Sequence, residues 1–267
     1  ARHFTARHMN WLHACWGVGA TLGTATAATV VVSGLAWQST YGLLGLVMVV
    51  MTLVFTLSLK QWRDGPATGS AHQAEAPATM REALGQPLVW AQIGVFFAYT
   101  GVEMTVGQWS YTLLTQYRDY SLEAAGMAVS VYWGALTAGR FLLGAIVHRL
   151  GVPRLLRMGA TTALLGGLTF VVAPWAWLSA VGLAVVGFSL APIYPGLMTQ
   201  TPSRLGRFSD FAVGFQASAG MLGAVLVPTV GGLILQTQGA AWLNGMIGGL
   251  VVVLWLSIMA LFRARTA

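Results

Sequence analysis

The chain of 267 residues is 56% hydrophobic and only 8% charged. An ordinary soluble domain is about 25% charged, so a water-facing globule is excluded and a polytopic membrane protein remains. The net charge of +7 does not point to nucleic acid, because the basic residues are scattered between apolar runs and form no patch.

About 20 apolar residues cross a bilayer as a helix. Eight runs approach that length, roughly 9–33, 41–59, 87–114, 121–147, 152–173, 176–200, 210–236 and 240–262. They are too long for strands and show no period-two alternation. The expected fold class is all-α, a transmembrane bundle of about eight spans. The single cysteine, Cys15, excludes an intrachain disulfide.

The first run opens with Asn10 and His13, one turn apart on one face. They either line the inner mouth of a cavity or hydrogen-bond a neighbouring helix. After the second run comes the one long polar segment, 60–84, whose Pro, Gly, Ser and charged residues read as a flexible linker.

The third run carries FFAYTGVEMTVGQW (Phe96–Trp109), with Glu103 in an apolar setting. A charge in the bilayer costs at least about 2.5–3.5 kcal/mol on insertion scales. Counted from Pro87 it lies about 24 Å along its helix, in the outer part of the bilayer. It either faces a solute or proton pathway or bonds a neighbouring helix. Tyr99, Gln108 and Trp109 would supply hydroxyl, amide and stacking surface beside it. Gly101 and Gly107 flank it and predict local unwinding.

In the fourth run, Gly139 and Arg140 stand near the inner end and Arg149 follows. Arg140 is read as a conformational residue that bonds helix-end carbonyls or an acid across the inner interface. Tyr132 and Trp133 face either a cavity or lipid. In the sixth run Tyr194 lies between Pro192 and Pro195, which predict a bend or a gate. Gln216 is the polar candidate of the seventh run, as a pathway residue or as a helix bridge.

Thirteen of the 14 Lys and Arg fall on one side if the runs alternate, with Arg118 alone on the other. The positive-inside rule makes that side cytoplasmic, with both ends of the segment inside and the chain integral to the inner (plasma) membrane.

The stretch WGALTAGRFLLGAIVHRLGVPRLLRMG (Trp133–Gly159) is similar to the cytoplasmic signature of the major facilitator superfamily. It has Gly139-Arg140, Gly144, Arg149, Gly151, Arg154 and Arg157 in the pattern, and His148 where the family carries an acid. NWLHACWGVGATLG (Asn10–Gly23), YTGVEMTVGQW (Tyr99–Trp109), APIYPGLMTQTP (Ala191–Pro202) and GFQASAGMLGAVLVP (Gly214–Pro228) resemble the fucose-permease-like and sugar-porter-like branch.

The resemblance implies twelve spans in two halves, of which these eight match the fifth to twelfth. Residues 1–59 would be the last two spans of the first half, 60–84 the cytoplasmic linker and 85–267 the six-span second half. The first residue is alanine, which fits missing N-terminal spans of the same protein. The expected function is a secondary transporter working by alternating access. It would move a small polar solute such as a sugar, with Glu103 as a candidate for proton coupling. The alternatives are a drug or metabolite exporter of the same fold, or a non-transporting membrane scaffold. An enzyme is not expected, since no phosphate loop, CxxC, HExxH or GxSxG occurs. No cofactor is expected, and the five dispersed histidines predict no metal site.

Overall fold

The computed structural model describes residues 11–19, 22–23, 26, 30, 33–36, 38–61 and 78–263. Asn10 and most of the expected linker lie outside the described residues. All regular elements among the described residues are helical. Residues 11–19 are helical. The further helices are α1 (Gln38–Ser58), α2 (Met80–Leu84), α3 (Pro87–Tyr117), α4 (Leu122–Leu150), α5 (Val152–Val172), α6 (Ala176–Leu190), α7 (Ile193–Leu205), α8 (Ser209–Gln238) and α9 (Ala240–Arg263).

The chain divides into two compact units, residues 16–76 and residues 1–15 with 77–267. The first contains α1, which has no charged residue and buries only Thr40. A helix that is apolar all round and exposed presents its surface to lipid.

The second unit is a bundle of α3 to α9. Its closest packing is of α3 on α8, α6 on α5 and α4, and α9 on α3 and α5. Across the described chain, five stretches are long and apolar enough to cross a membrane: α1, α4, α5, the 63-residue Ala176–Gln238 and α9. Ala176–Gln238 holds α6, α7 and α8, enough for two crossings. At 31 residues, α3 is about 46 Å long. It has the length to cross, but Gln92, Thr100, Glu103, Thr105, Gln108 and Ser110 make it less apolar. Large apolar side chains such as Leu142, Leu222, Val225, Val230 and Leu256 remain exposed, as a lipid-facing surface requires.

The helix ends follow from local chemistry. Pro87 occupies the first turn of α3, where its missing N–H costs nothing. The Ser121 hydroxyl accepts from the Ala124 N–H and caps α4. Gly151, at φ +75°, ends α4 and admits α5 one residue later. Arg118, expected alone on its side, donates to the carbonyls of Phe170, Val171 and Ala173 at the end of α5. A guanidinium there answers the unpaired carbonyls of the last turn and the negative end of the helix dipole.

The run 176–200 breaks where the prolines predict a bend: α6 stops at Leu190 and α7 starts at Ile193. Pro192, without an N–H, stands at the break, and Pro195 sits in the first turn of α7. Conversely, α3 does not unwind at its glycines. A Cβ on Gly107 would lie 2.2 Å from Trp133 Cζ2, and one on Gly101 would lie 2.7 Å from Val227 Cγ2. These glycines let α4 and α8 press against an unbroken α3.

Candidate functional site: a buried ion pair between α3 and α4

Glu103 lies one residue past the midpoint of α3. The helix runs on to Tyr117, beyond the expected end at 114. Four of its residues, Gln92, Phe96, Tyr99 and Glu103, recur at spacings of four, three and four. That pattern puts them on one helical face, and all four are buried.

Arg140 answers Glu103 from α4. Its Nη2 stands 3.1 Å from Glu103 Oε1, with both side chains under a tenth exposed. Its Nη1 donates to the His13 carbonyl at 3.0 Å. Arg140 is ten residues, about 15 Å, from the end of α4. As expected it bonds an acid and a carbonyl, and it does so with its side chain buried in the bundle. Its long side chain lets a residue of the inner half reach the middle of α3.

Aromatic groups surround the pair. The Tyr132 hydroxyl donates to the Glu103 carbonyl at 2.8 Å, so Tyr132 faces the interior. The Tyr99 hydroxyl is buried beside both charges without a well-formed hydrogen bond to either. Tyr194, placed by the α6–α7 break, has its ring centroid 4.9 Å from Phe96, 6.0 Å from Tyr99 and 5.1 Å from His13. Gly139 is what lets α4 approach that break. A Cβ there would lie 2.7 Å from Ala191 Cβ and 2.9 Å from the Phe188 carbonyl oxygen.

The cluster thus joins His13, Tyr99, Glu103, Tyr132, Arg140 and Tyr194. It offers a carboxylate acceptor, guanidinium and hydroxyl donors, and ring faces.

Other candidates fall elsewhere. Gln108 is exposed. Trp109 Nε1 donates to the Pro228 carbonyl at 2.9 Å, and its ring lies against Gly231 and Gly232; it seats α3 on α8. Gln216 is fully buried. Its Nε2 donates to Gln92 Oε1 and, at 2.9 Å, to Thr201 Oγ1. Gln92 precedes Glu103 by eleven residues, about 16 Å along α3, so Gln216 belongs to a separate cluster. Arg149 is exposed. Pro192 and Pro195 are both buried at the break. The roles of Gln92 and Thr201 were missed from sequence; the Gln92–Glu103 face periodicity was the signal for the first. Among the described residues no group of three His, Cys, Asp or Glu could hold a metal ion.

Comparison with known proteins places this geometry. Residues 2–209 match the family model described as Major Facilitator Superfamily. An uncharacterized MFS-type transporter of Yersinia pestis is 24% identical over 260 residues, covering 97% of this chain and 64% of the relative. A candidate glucose/galactose transporter of Helicobacter pylori is 25% identical over 158 residues, covering 58% of this chain and 38% of the relative. The fold resembles FucP, a major facilitator transporter solved in the outward conformation, with a TM-score of 0.74 at 14% identity, over 98% of this chain and 69% of that one. A variant of the E. coli fucose:proton symporter FucP gives 0.69 at 14% identity, over 89% and 61%. The chain spans under two thirds of the length of either curated relative. The apolar helices make it an integral membrane protein, and the match over residues 2–209 establishes that the chain belongs to the major facilitator superfamily.

Proposed function

We propose that this chain forms the fifth to twelfth spans of a secondary transporter working by alternating access. In this reading residues 1–59 end the first half, 60–84 link the halves on the cytoplasmic side, and 85–267 form the second half. The protein carries a small polar solute of the sugar class across the inner membrane, with proton uptake at Glu103 releasing Arg140. Both ends of the segment are cytoplasmic, following the distribution of Lys and Arg.

The single observation that carries this reading is the buried Glu103–Arg140 pair at mid-helix, set among Tyr99, Tyr132 and Tyr194. Ionisable groups at that depth are costly and are retained on solute and proton paths. Sugars present apolar ring faces for aromatic stacking and hydroxyls for charged partners. The sugar names of the Helicobacter relative and of FucP support the same class. The buried charges favour a polar solute over the apolar cargo of an exporter.

The test is uptake of radiolabelled hexoses by proteoliposomes carrying the product of the complete reading frame around this sequence, under an imposed pH gradient. We expect saturable accumulation driven by the gradient. Glu103→Gln should retain exchange of labelled for unlabelled sugar but lose gradient-driven accumulation. Accumulation that keeps its pH dependence in Glu103→Gln would remove the proton role. A protein inert toward every hexose in the exchange assay would remove the substrate class.

A further inference from the structure

A groove of about 930 Å³ lies away from the ion pair, between the first half of α3, the α7–α8 turn and the end of α9. Its walls are apolar, with Trp90, Phe97, Leu205, Phe208 and Val253 among them, and Arg204 is the only charged residue in its lining among the described residues. Arg204 is held in place without being consumed. Nη2 donates to the Leu261 carbonyl at 2.8 Å, and the guanidinium carbon sits 5.1 Å from the Phe262 ring centroid. One guanidinium carries five N–H donors in a fork that suits phosphate oxygens.

The dimensions match half a bilayer. The groove follows α3 from Gln86 to Ala98 and α9 from Val253 to Leu261, about 18 Å and 12 Å of helix. Half of the hydrocarbon core is about 15 Å. Arg204 and Gln86 lie at the helix-end level, where a headgroup sits, and the apolar walls run inward from them. Trp90, which donates Nε1–H to the Leu84 carbonyl at 2.8 Å, marks the interface as tryptophan does in membrane proteins. The floor at Gly94 is open, with nothing within 4 Å of a Cβ built there.

Charge selects the occupant. Among the described residues, Arg81, Arg149, Arg154, Arg157, Arg204, Arg207 and Arg263 gather at this end of the bundle, against Glu82 and Asp210. Glu82 is already paired with Arg207 at 3.8 Å. Basic pockets between helix ends attract anionic lipid headgroups.

We propose that this groove is a binding site for an anionic phospholipid, its phosphate on Arg204 and one acyl chain between Trp90, Gly94, Phe97 and Val253. The site is independent of the transported solute, so its test needs no transport.

The experiment measures Tm of the detergent-purified full-length protein with added phosphatidylglycerol, phosphatidylcholine or inorganic phosphate. Wild type, Arg204→Gln and Gly94→Leu are compared. Phosphatidylglycerol should raise the Tm of wild type by about 3 °C more than phosphatidylcholine does, and inorganic phosphate should leave it unchanged. Arg204→Gln should lose the difference between the two lipids. Gly94→Leu fills the floor with a better helix former, so it should fold as well as wild type and lose the phosphatidylglycerol increment. Equal shifts with the two lipids in wild type would overturn the charge selection. An increment that survives Gly94→Leu would place the lipid elsewhere. Inorganic phosphate matching phosphatidylglycerol would reduce the site to an anion site, and no shift with any lipid would leave the groove to a protein segment.

Discussion

The bundle holds two buried polar clusters, and they are built on opposite terms. Near the basic end, Gln92, Thr201 and Gln216 are neutral and satisfy one another. At mid-helix, Glu103 and Arg140 are charged, and the Tyr99 hydroxyl beside them has no well-formed bond. A neutral network of this kind ties helices together. A charged network with a hydroxyl beside both charges can redistribute its donors and acceptors in a region where charge is costly to keep. The first cluster joins α3, α7 and α8 as a fixed bridge. The second has partners to exchange, which the alternating access proposed above requires at its centre.

The largest effect should come from breaking the charged cluster on one side. Arg140→Met leaves Glu103 buried without its cation, and loss of one partner of a buried pair costs about 3–5 kcal/mol. Folded yield and Tm should fall sharply. Arg140→Met combined with Glu103→Leu should recover most of the Tm, because an apolar replacement of both partners is close to neutral. Transport should not recover. If the double variant transports like wild type, the pair is structural, and the two clusters do not differ in kind.

Breaking the neutral cluster should cost less and spare function. Gln216→Leu removes its hydrogen bonds to Gln92 and Thr201 and leaves both short of a partner inside the bundle, a loss of about 1–3 kcal/mol. Tm should drop, while the solute KM and the pH profile of uptake stay unchanged in the folded fraction. A changed pH profile would assign Gln216 to the pathway after all.

The contrast was only partly visible in sequence. Composition and run length disclose the helical membrane bundle, and Pro192 and Pro195 disclose the weak point between α6 and α7, because both signals are local. Glu103 stood out for the same reason, as a lone acid in an apolar run. Its pairing with Arg140 did not, because the partner sits 37 positions away and is chosen by how α4 packs on α3. Gly101 and Gly107 were misread as helix breakers. Helix propensity acts on an isolated helix, whereas here Trp133 and Val227 occupy the space a side chain would need. Gln216 was noticed but could not be sorted into bridge or pathway until Gln92 and Thr201 were beside it.

A smaller and more selective change is Tyr99→Phe. The hydroxyl makes no well-formed bond in this conformation, so its removal should shift stability by no more than about 0.5 kcal/mol. If it bonds the solute or a charged partner in another transport state, kcat/KM should fall about tenfold, the factor that corresponds to about 1.4 kcal/mol. Thermal melts of the variant together with uptake kinetics separate the two. Unchanged kinetics would leave Tyr99 as packing and confine the functional cluster to the charges.

The smallest effect concerns an exposed ion pair, which calibrates the buried one. Glu82 accepts from the Thr79 backbone N–H at 2.9 Å and from the Thr79 hydroxyl at 3.1 Å, and it faces Arg207 across 3.8 Å. The backbone bond first, then the hydroxyl, hold its carboxyl below the ordinary glutamate value of 4.5. A depressed carboxylate contributes stability above its unfolded pKa and loses it as pH falls through the folded one. Order in α2 should therefore be constant from neutral pH down to about 4.5 and fade below that. Thr79→Ala removes the hydroxyl's two roles, as acceptor from the Glu82 N–H and as donor to its carboxylate. Hydrogen exchange of residues 79–86, corrected for intrinsic rates, should accelerate at pH 7 in this variant and show a weaker acid dependence than in wild type. Global Tm should stay the same, because an exposed pair is screened by water and salt. A global Tm that tracks Glu82 would mean that α2 is coupled to the bundle as tightly as Glu103 is, and the distinction between buried and exposed charge in this protein would fail.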